Sequence, residues 1–228
     1  MKIFITADIE GITGATNWGE TDQKNEYFAE LRAQMTAEVS AACEGALAAG
    51  ATEIWVKDAH GWACNLISSK LPREVQLVRG WSGHPFAMMQ ELDKTFDAAL
   101  VIGYHSHAGS SGSPLAHTMT GNMTYFKING QYASEFMVSA YTAGLVDVPV
   151  VFLSGDVELC QDAQRFIPGL STMPVQRGAG SSTTSIHPHL AVERIRSGVE
   201  TALKADVSKC RVSMPEHFSV ELRYRKHA

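Results

Sequence analysis

MKIFITADIEGITG, residues 1–14, reads as a short buried strand, KIFITAD, that runs into two carboxylates, Asp8 and Glu10, separated by one residue. Residues i and i+2 of a strand point the same way, about 7 Å apart, so the two acids are expected on one face. Two carboxylates so placed repel each other unless a cation lies between them.

Outward from that strand, short apolar runs alternate with helix-like segments, the pattern of a mostly parallel sheet with helices on its faces. The stretch from Glu26 to Ala49 is rich in Ala, Glu and Leu at helical spacing, and Gly50 is placed to stop it. TEIWVKDAH predicts a second strand, LPREVQLVRG a third, PFAMMQELD a helix with Pro85 in its first turn, and AALVIGYHSH a buried strand. Asn129-Gly130 between two alternating runs predicts a hairpin in TYFKINGQYA. SEFMVSAYTAGL predicts a helix capped by Ser134, VPVVFLSGD a buried strand, VELCQDAQRFI and residues 188–205 helices, and FSVELRYR a last strand. The expected fold is therefore α/β, with a mostly parallel central sheet, helices on both faces and an inserted β-hairpin. No internal repeat or low-complexity linker divides the chain, so residues 1–228 are expected to form one domain.

Composition narrows the partners. A chain of 228 residues with 45% hydrophobic content can bury a core unaided. A net charge of -5 offers no basic footprint for nucleic acid or for an anionic membrane surface. No stretch approaches the roughly 18 apolar residues of a membrane span, and the few apolar residues before Asp8 are too short for a signal-peptide core, so a cytoplasmic protein is expected. Cys43, Cys64, Cys160 and Cys210 form no CxxC pair and read as reduced, mostly buried thiols.

The polar residues gather at strand ends. Strand one ends in Asp8 and Glu10, strand two in Asp58 and His60, the next buried strand in His105, and VPVVFLSGD in Asp156. In open α/β sheets ligands bind at the carboxyl ends of the strands. Asp, Glu and His without cysteine suit zinc or another divalent first-row metal, and carboxylates can bridge two ions about 3.5–4 Å apart. Asp58 or Asp156 alone is more simply a cap for the following turn or helix. His105 alone reads as a polar loop residue, as do His107 beside it and His84, His187, His189, His217 and His227. The glycines and serines of residues 109–113 match neither phosphate-loop pattern. Ser113 and Ser154 stand outside a G-x-S-x-G elbow, which disfavours serine hydrolase chemistry.

Five short motifs in order, ADIEGITG, VKDAHG, VIGYHSHA, LAHTM and INGQYASE, resemble the M55 family of metallopeptidases, the D-aminopeptidases, from Met1 to about Asp156. The resemblance implies a binuclear zinc site. Asp8 matches the bridging carboxylate, Glu10 and His60 ligands of one zinc, His105 and Glu135 ligands of the other, and His117 the catalytic residue. Spacing alone would make Glu135 a first-turn helix acid favoured by the macrodipole. Asp58, two residues before His60, is a candidate carboxylate for the free N–H of a metal-bound imidazole.

The resemblance further implies two zinc ions per chain, removal of the N-terminal residue from short peptides or amides with D-amino acids or glycine preferred, and a ring-like homo-oligomer. Trp18, Trp62 and Trp81 suit its interfaces or the core equally. It also implies a chain that continues past FSVELRYRKHA, so a C-terminus shorter than the family's is expected. Other readings are a metal-dependent phosphoesterase or amidohydrolase on another small substrate, and a non-catalytic metal- or peptide-binding module.

Overall fold

The computed structural model describes residues 1–226. In chain order these form β1 (Lys2–Ala7), α1 (Trp18–Thr21), α2 (Phe28–Ala48), β2 (Glu53–Asp58), β3 (Val75–Val78), β4 (Ala98–Tyr104), β5 (Met123–Ile128), β6 (Gln131–Tyr132), α3 (Glu135–Leu145), β7 (Val150–Asp156), α4 (Val157–Phe166), β8 (Ser171–Ala179), β9 (Ser182–Ser185), α5 (Pro188–Lys204) and β10 (Val220–Tyr224). The main sheet runs β3-β2-β1-β4-β7-β8-β9, parallel throughout except for the β8–β9 pair. Helices α2 and α5 pack together on one face, and α3 and α4 lie on the other. Every residue of β4 and β7 is buried, which is what strands covered on both faces require.

The chain winds outward from β1 through β2 to β3, then crosses to the other side of β1 to lay down β4, β7 and β8. The winding direction therefore reverses between β1 and β4, and a crevice opens at the carboxyl ends of those two strands. Close approach there depends on Gly103, which takes φ +73 inside β4. A Cβ at this position would lie 2.4 Å from the Asp8 carbonyl oxygen and 2.6 Å from Ile12 Cγ2. Gly103→Ala is expected to cost at least about 1–3 kcal/mol from backbone conformation alone, with the steric contact adding to it. Denaturant unfolding measures this, and an unchanged midpoint would show that the close approach is dispensable.

The hairpin forms as expected. Asn129 (φ 50) and Gly130 (φ 80) turn β5 into β6, both in the left-handed region that a type I′ turn demands. The last strand, β10, pairs with β5, so the hairpin becomes a separate three-stranded antiparallel sheet. Ser134 caps α3 by accepting from the Met137 N–H, and Gly50 (φ 95) stops α2.

Three differences from the sequence reading have physical causes. PFAMMQELD makes only a single 3₁₀ turn at Ala87–Met89, because Ala87 and Glu91 adopt positive φ and Met88 and Met89 turn into the core. Strands β8 and β9 gave no signal, since STMPVQRGA carries a proline and a glycine among polar residues and lies near the sheet edge. The short helix α1 forms through a reciprocal cap in which Asn17 and Glu20 satisfy each other's backbone N–H groups.

Candidate metal centre

Six side chains converge on the crevice. Asp8 and Glu10 follow β1, which ends at Ala7, so a turn and not strand alternation aims both acids into one space. His60 arrives on the loop after β2 and His105 directly after β4. His117 comes from the β4–β5 connection and Glu135 from the first turn of α3. Asp8, Glu10, His105 and Glu135 are buried, and His60 and His117 are nearly so.

The histidines share one arrangement. His60 Nε2 lies 3.1 Å from the Thr21 carbonyl oxygen, His105 Nδ1 3.0 Å from that of Ser106, and His117 Nδ1 2.9 Å from that of Leu115. A carbonyl only accepts, so these ring nitrogens donate and the opposite ring nitrogens face the acids. His60 Nδ1 is 2.9 Å from Glu10 Oε2 and 3.4 Å from Asp8 Oδ1. His105 Nε2 is 3.6 Å from both Asp8 Oδ2 and Glu135 Oε2, and His117 Nε2 is 3.5 Å from Glu135 Oε1. The two oxygens of Asp8 thus face different imidazoles.

Electrostatically the cluster is short of positive charge. Burial alone would lower the His60 imidazole, yet the Glu10 and Asp8 carboxylates push it up to about 11. His105 is likewise opposed by burial and raised to about 10 by Glu135, Glu10 and Asp8. Burial and the adjacent Glu10 charge raise Asp8 well above the carboxylate range. Burial and the His105 charge hold His117 below the usual imidazole range. Protons leave the cluster incompletely satisfied: apart from the His60 approach at 2.9 Å, Glu10 Oε2 has no hydrogen-bond partner, and His105 Nε2 is buried with none. Spacings of 3.4–3.6 Å are long for hydrogen bonds, whereas two tetrahedral zinc ligands lie about 3.4 Å apart. Asp8, Glu10 and His60 form one group of closely spaced donors, and Asp8, His105 and Glu135 a second. A divalent ion fits either group, and a backbone carbonyl on the far ring nitrogen is the usual support for an imidazole ligand.

Neighbouring polar residues act on loops. Asp58 does not reach the His60 ring. It accepts from the Asn65 and Leu66 backbone N–H groups and from Asn65 Nδ2, which also donates to the His60 carbonyl oxygen, and so fixes the loop that presents His60. Asp156 caps α4 through Leu159 N and accepts from both the N–H and hydroxyl of Ser106, whose carbonyl holds His105. Ser113 and Ser154 serve as backbone acceptors. His107 stacks on Tyr132 away from the cluster, His187 caps α5, and His227 lies outside the described residues. The four cysteines are free, with Cys43, Cys160 and Cys210 buried.

A cavity of about 550 Å³ opens over the cluster, with Trp18, Trp81, Met88 and Met119 on its walls. A larger depression of about 1110 Å³ beside β10 gathers none of these donors.

The fold and site define an α/β protein with a candidate two-centre metal site at the switch point of a mostly parallel sheet. The chain belongs to the M55 peptidase family: the family model, described as D-aminopeptidase, matches residues 1–228. It is 34% identical over 177 residues to a D-aminopeptidase of Bacillus subtilis (strain 168), a match covering 78% of this chain and 64% of that protein's length. Its structure superimposes with a TM-score of 0.91 and 29% identity on the Zn-dependent D-aminopeptidase DppA from Bacillus subtilis, described as a self-compartmentalizing protease, over 99% of this chain and 82% of that one. No helix among the described residues is long and apolar enough to cross a membrane.

Proposed function

We propose that this protein is a zinc-dependent aminopeptidase that removes the N-terminal residue, a D-amino acid or glycine, from short peptides or amides. The observation that carries the reading is Asp8, whose two oxygens face two separate donor groups, as a carboxylate shared by two ions must. Glu10 and His60 complete one centre and His105 and Glu135 the other. Two divalent ions bound there supply Lewis acidity for a carbonyl oxygen and acidify a water into a nucleophile near neutral pH.

The chain's own groups do the rest. His117 Nδ1–H donates to the Leu115 carbonyl oxygen, so in the neutral ring Nε2 is the free lone pair that can take up a proton and give it back. Held neutral, it accepts a proton from the attacking water and returns it to the leaving amine.

The other readings fare less well. The lining of the cavity holds no lysine or arginine, so a phosphate ester would depend on the ions alone for its charge. A non-catalytic module has no use for a neutral imidazole beside its metals. The likeness to a self-compartmentalizing protease supports assembly into a closed homo-oligomer admitting only short peptides. Light scattering tests this, and a monomer at micromolar concentration overturns it. The activity itself is tested by metal analysis of protein purified without chelator, followed by a panel of D-, L- and glycyl dipeptides and amides. Turnover confined to phosphoesters, or to none of the panel after zinc reconstitution, overturns the reading.

A further inference from the structure

We propose that Trp18, Trp81, Met88 and Met119 form an apolar seat for the side chain of the residue whose amide is cleaved. The substrate class is then peptides and amides that begin with a bulky apolar residue, aromatic above all. The inference rests on the aminopeptidase reading and narrows its substrate range: bulky apolar residues become the preferred ones and glycine the poor one.

Large apolar side chains are normally withdrawn from water, yet Trp18, Trp81 and Met119 are 49%, 44% and 47% exposed. All three line the cavity whose floor is the Asp8 cluster, and the buried Met88 lines it with them. Trp81 is held in place as a wall. Its Nε1–H donates to the Gly61 carbonyl oxygen at 2.7 Å, and the ammonium of Lys57 lies 4.2 Å from its ring centroid. Lys57 is fully buried and donates to the Gly80 carbonyl oxygen next to Trp81 in sequence, so a desolvated cation backs the indole and its loop together. Trp18 is carried on the capped helix α1 and meets the His117 ring edge-on at 5.2 Å between centroids. A side chain resting on Trp18 is therefore beside the proposed proton-transfer group.

The walls carry no formal charge, so a charged side chain would be desolvated there without a partner, which favours an apolar one. Aromatic rings fixed before binding give apolar contact at little cost in side-chain ordering. A cavity of about 550 Å³ is also far larger than glycine or alanine alone would fill.

The test uses the zinc-loaded protein with glycyl, alanyl, leucyl and phenylalanyl p-nitroanilides, the last three in both enantiomers. In the preferred enantiomer, kcat/KM for phenylalanyl should exceed that for glycyl by on the order of 10- to 100-fold. Trp81→Ala and Trp18→Ala should each lower that ratio at least several-fold with zinc content unchanged, and Trp81→Phe should give an intermediate ratio. A second arm needs no turnover. Phenylalaninol, followed by tryptophan fluorescence, should bind at least about 10-fold more tightly than ethanolamine, and Trp81→Ala should remove the difference. If phenylalaninol shows this Trp81-dependent binding while no amide is hydrolysed, the seat stands and the aminopeptidase reading falls. Equal or better handling of the glycyl substrate together with equal binding of the two amino alcohols overturns the seat, whatever the activity.

Discussion

Asp8→Ala is expected to empty both halves of the cluster at once. Metal content should fall from about two ions per chain toward zero, and activity by on the order of 10³-fold or more, the scale of losing the metal contribution altogether. His60→Ala and His105→Ala should behave differently. Each removes an imidazole assigned to only one of the two proposed centres, so each should leave about one ion bound while turnover still collapses. The distinction follows from geometry, because Asp8 Oδ1 faces His60 and Asp8 Oδ2 faces His105, 3.4 and 3.6 Å away. Elemental analysis of the three variants beside the parent protein, in zinc buffered near neutral pH, decides the matter. If Asp8→Ala keeps both ions, or loses no more than His60→Ala, Asp8 is not shared and the two-centre assignment fails.

The strand-end part of this candidate cluster was legible in the sequence, for an identifiable reason. β1 and β4 are mainly apolar runs followed at once by Asp8 and His105, β2 leads into His60 two residues past its end, and the fold places the ends of parallel strands along one edge. Glu135 was not legible that way. A first-turn acid behind a capping Ser134 has a complete local explanation in the helix dipole, and only family resemblance marked it as more. Asp58 and Asp156 are the caps that the local reading makes them, and only the idea that Asp58 supports the His60 ring fails. Standing at strand ends among ligand-type residues, they resemble members of the set, but their oxygens are taken up by the backbone of the Asn65 and Ser106 loops. A strand-end acid and a loop-fixing acid share one sequence pattern and differ only in which N–H groups the fold brings near.

The fold shows the same division. Elements whose signals are local, such as the Asn129-Gly130 turn and the Ser134 cap, appear where the residues place them. Strands β8 and β9 do not announce themselves: β8 carries Pro174 and Gly178 among polar residues, and β9 is a short, mostly exposed polar edge strand under little demand for apolar alternation. The aromatic positions were ambiguous for a related reason. Whether Trp18 and Trp81 are core or surface depends on loops that arrive from distant parts of the chain, and those loops turn both side chains out over the cluster.

His117→Asn is expected to keep the fold and both metal ions while losing turnover by on the order of 10²–10⁴-fold, the range for removing a positioned acid/base group. The prediction is demanding because His117 stands close to being a ligand. Its ring stacks on His105 with centroids 4.3 Å apart, and its Nε2 falls within one group of closely spaced donors with Glu10 and His105. What separates it from the other two histidines is its carboxylate environment. His60 and His105 each have two carboxylates at ion-pair distance, whereas His117 has only Glu135 that close, with Glu10 farther off, and the near oxygen of Glu135 already accepts the Met119 N–H at 2.7 Å. An imidazole pinned at Nδ1 and facing a partly occupied carboxylate is free to exchange a proton at Nε2, and asparagine can keep the polar contact there without exchanging one. Metal content and kcat should be measured together on this variant. Loss of an ion makes His117 a ligand, and near-normal kcat makes it a bystander. Retention of metal with kcat reduced and KM little changed is the result that places proton transfer at this residue.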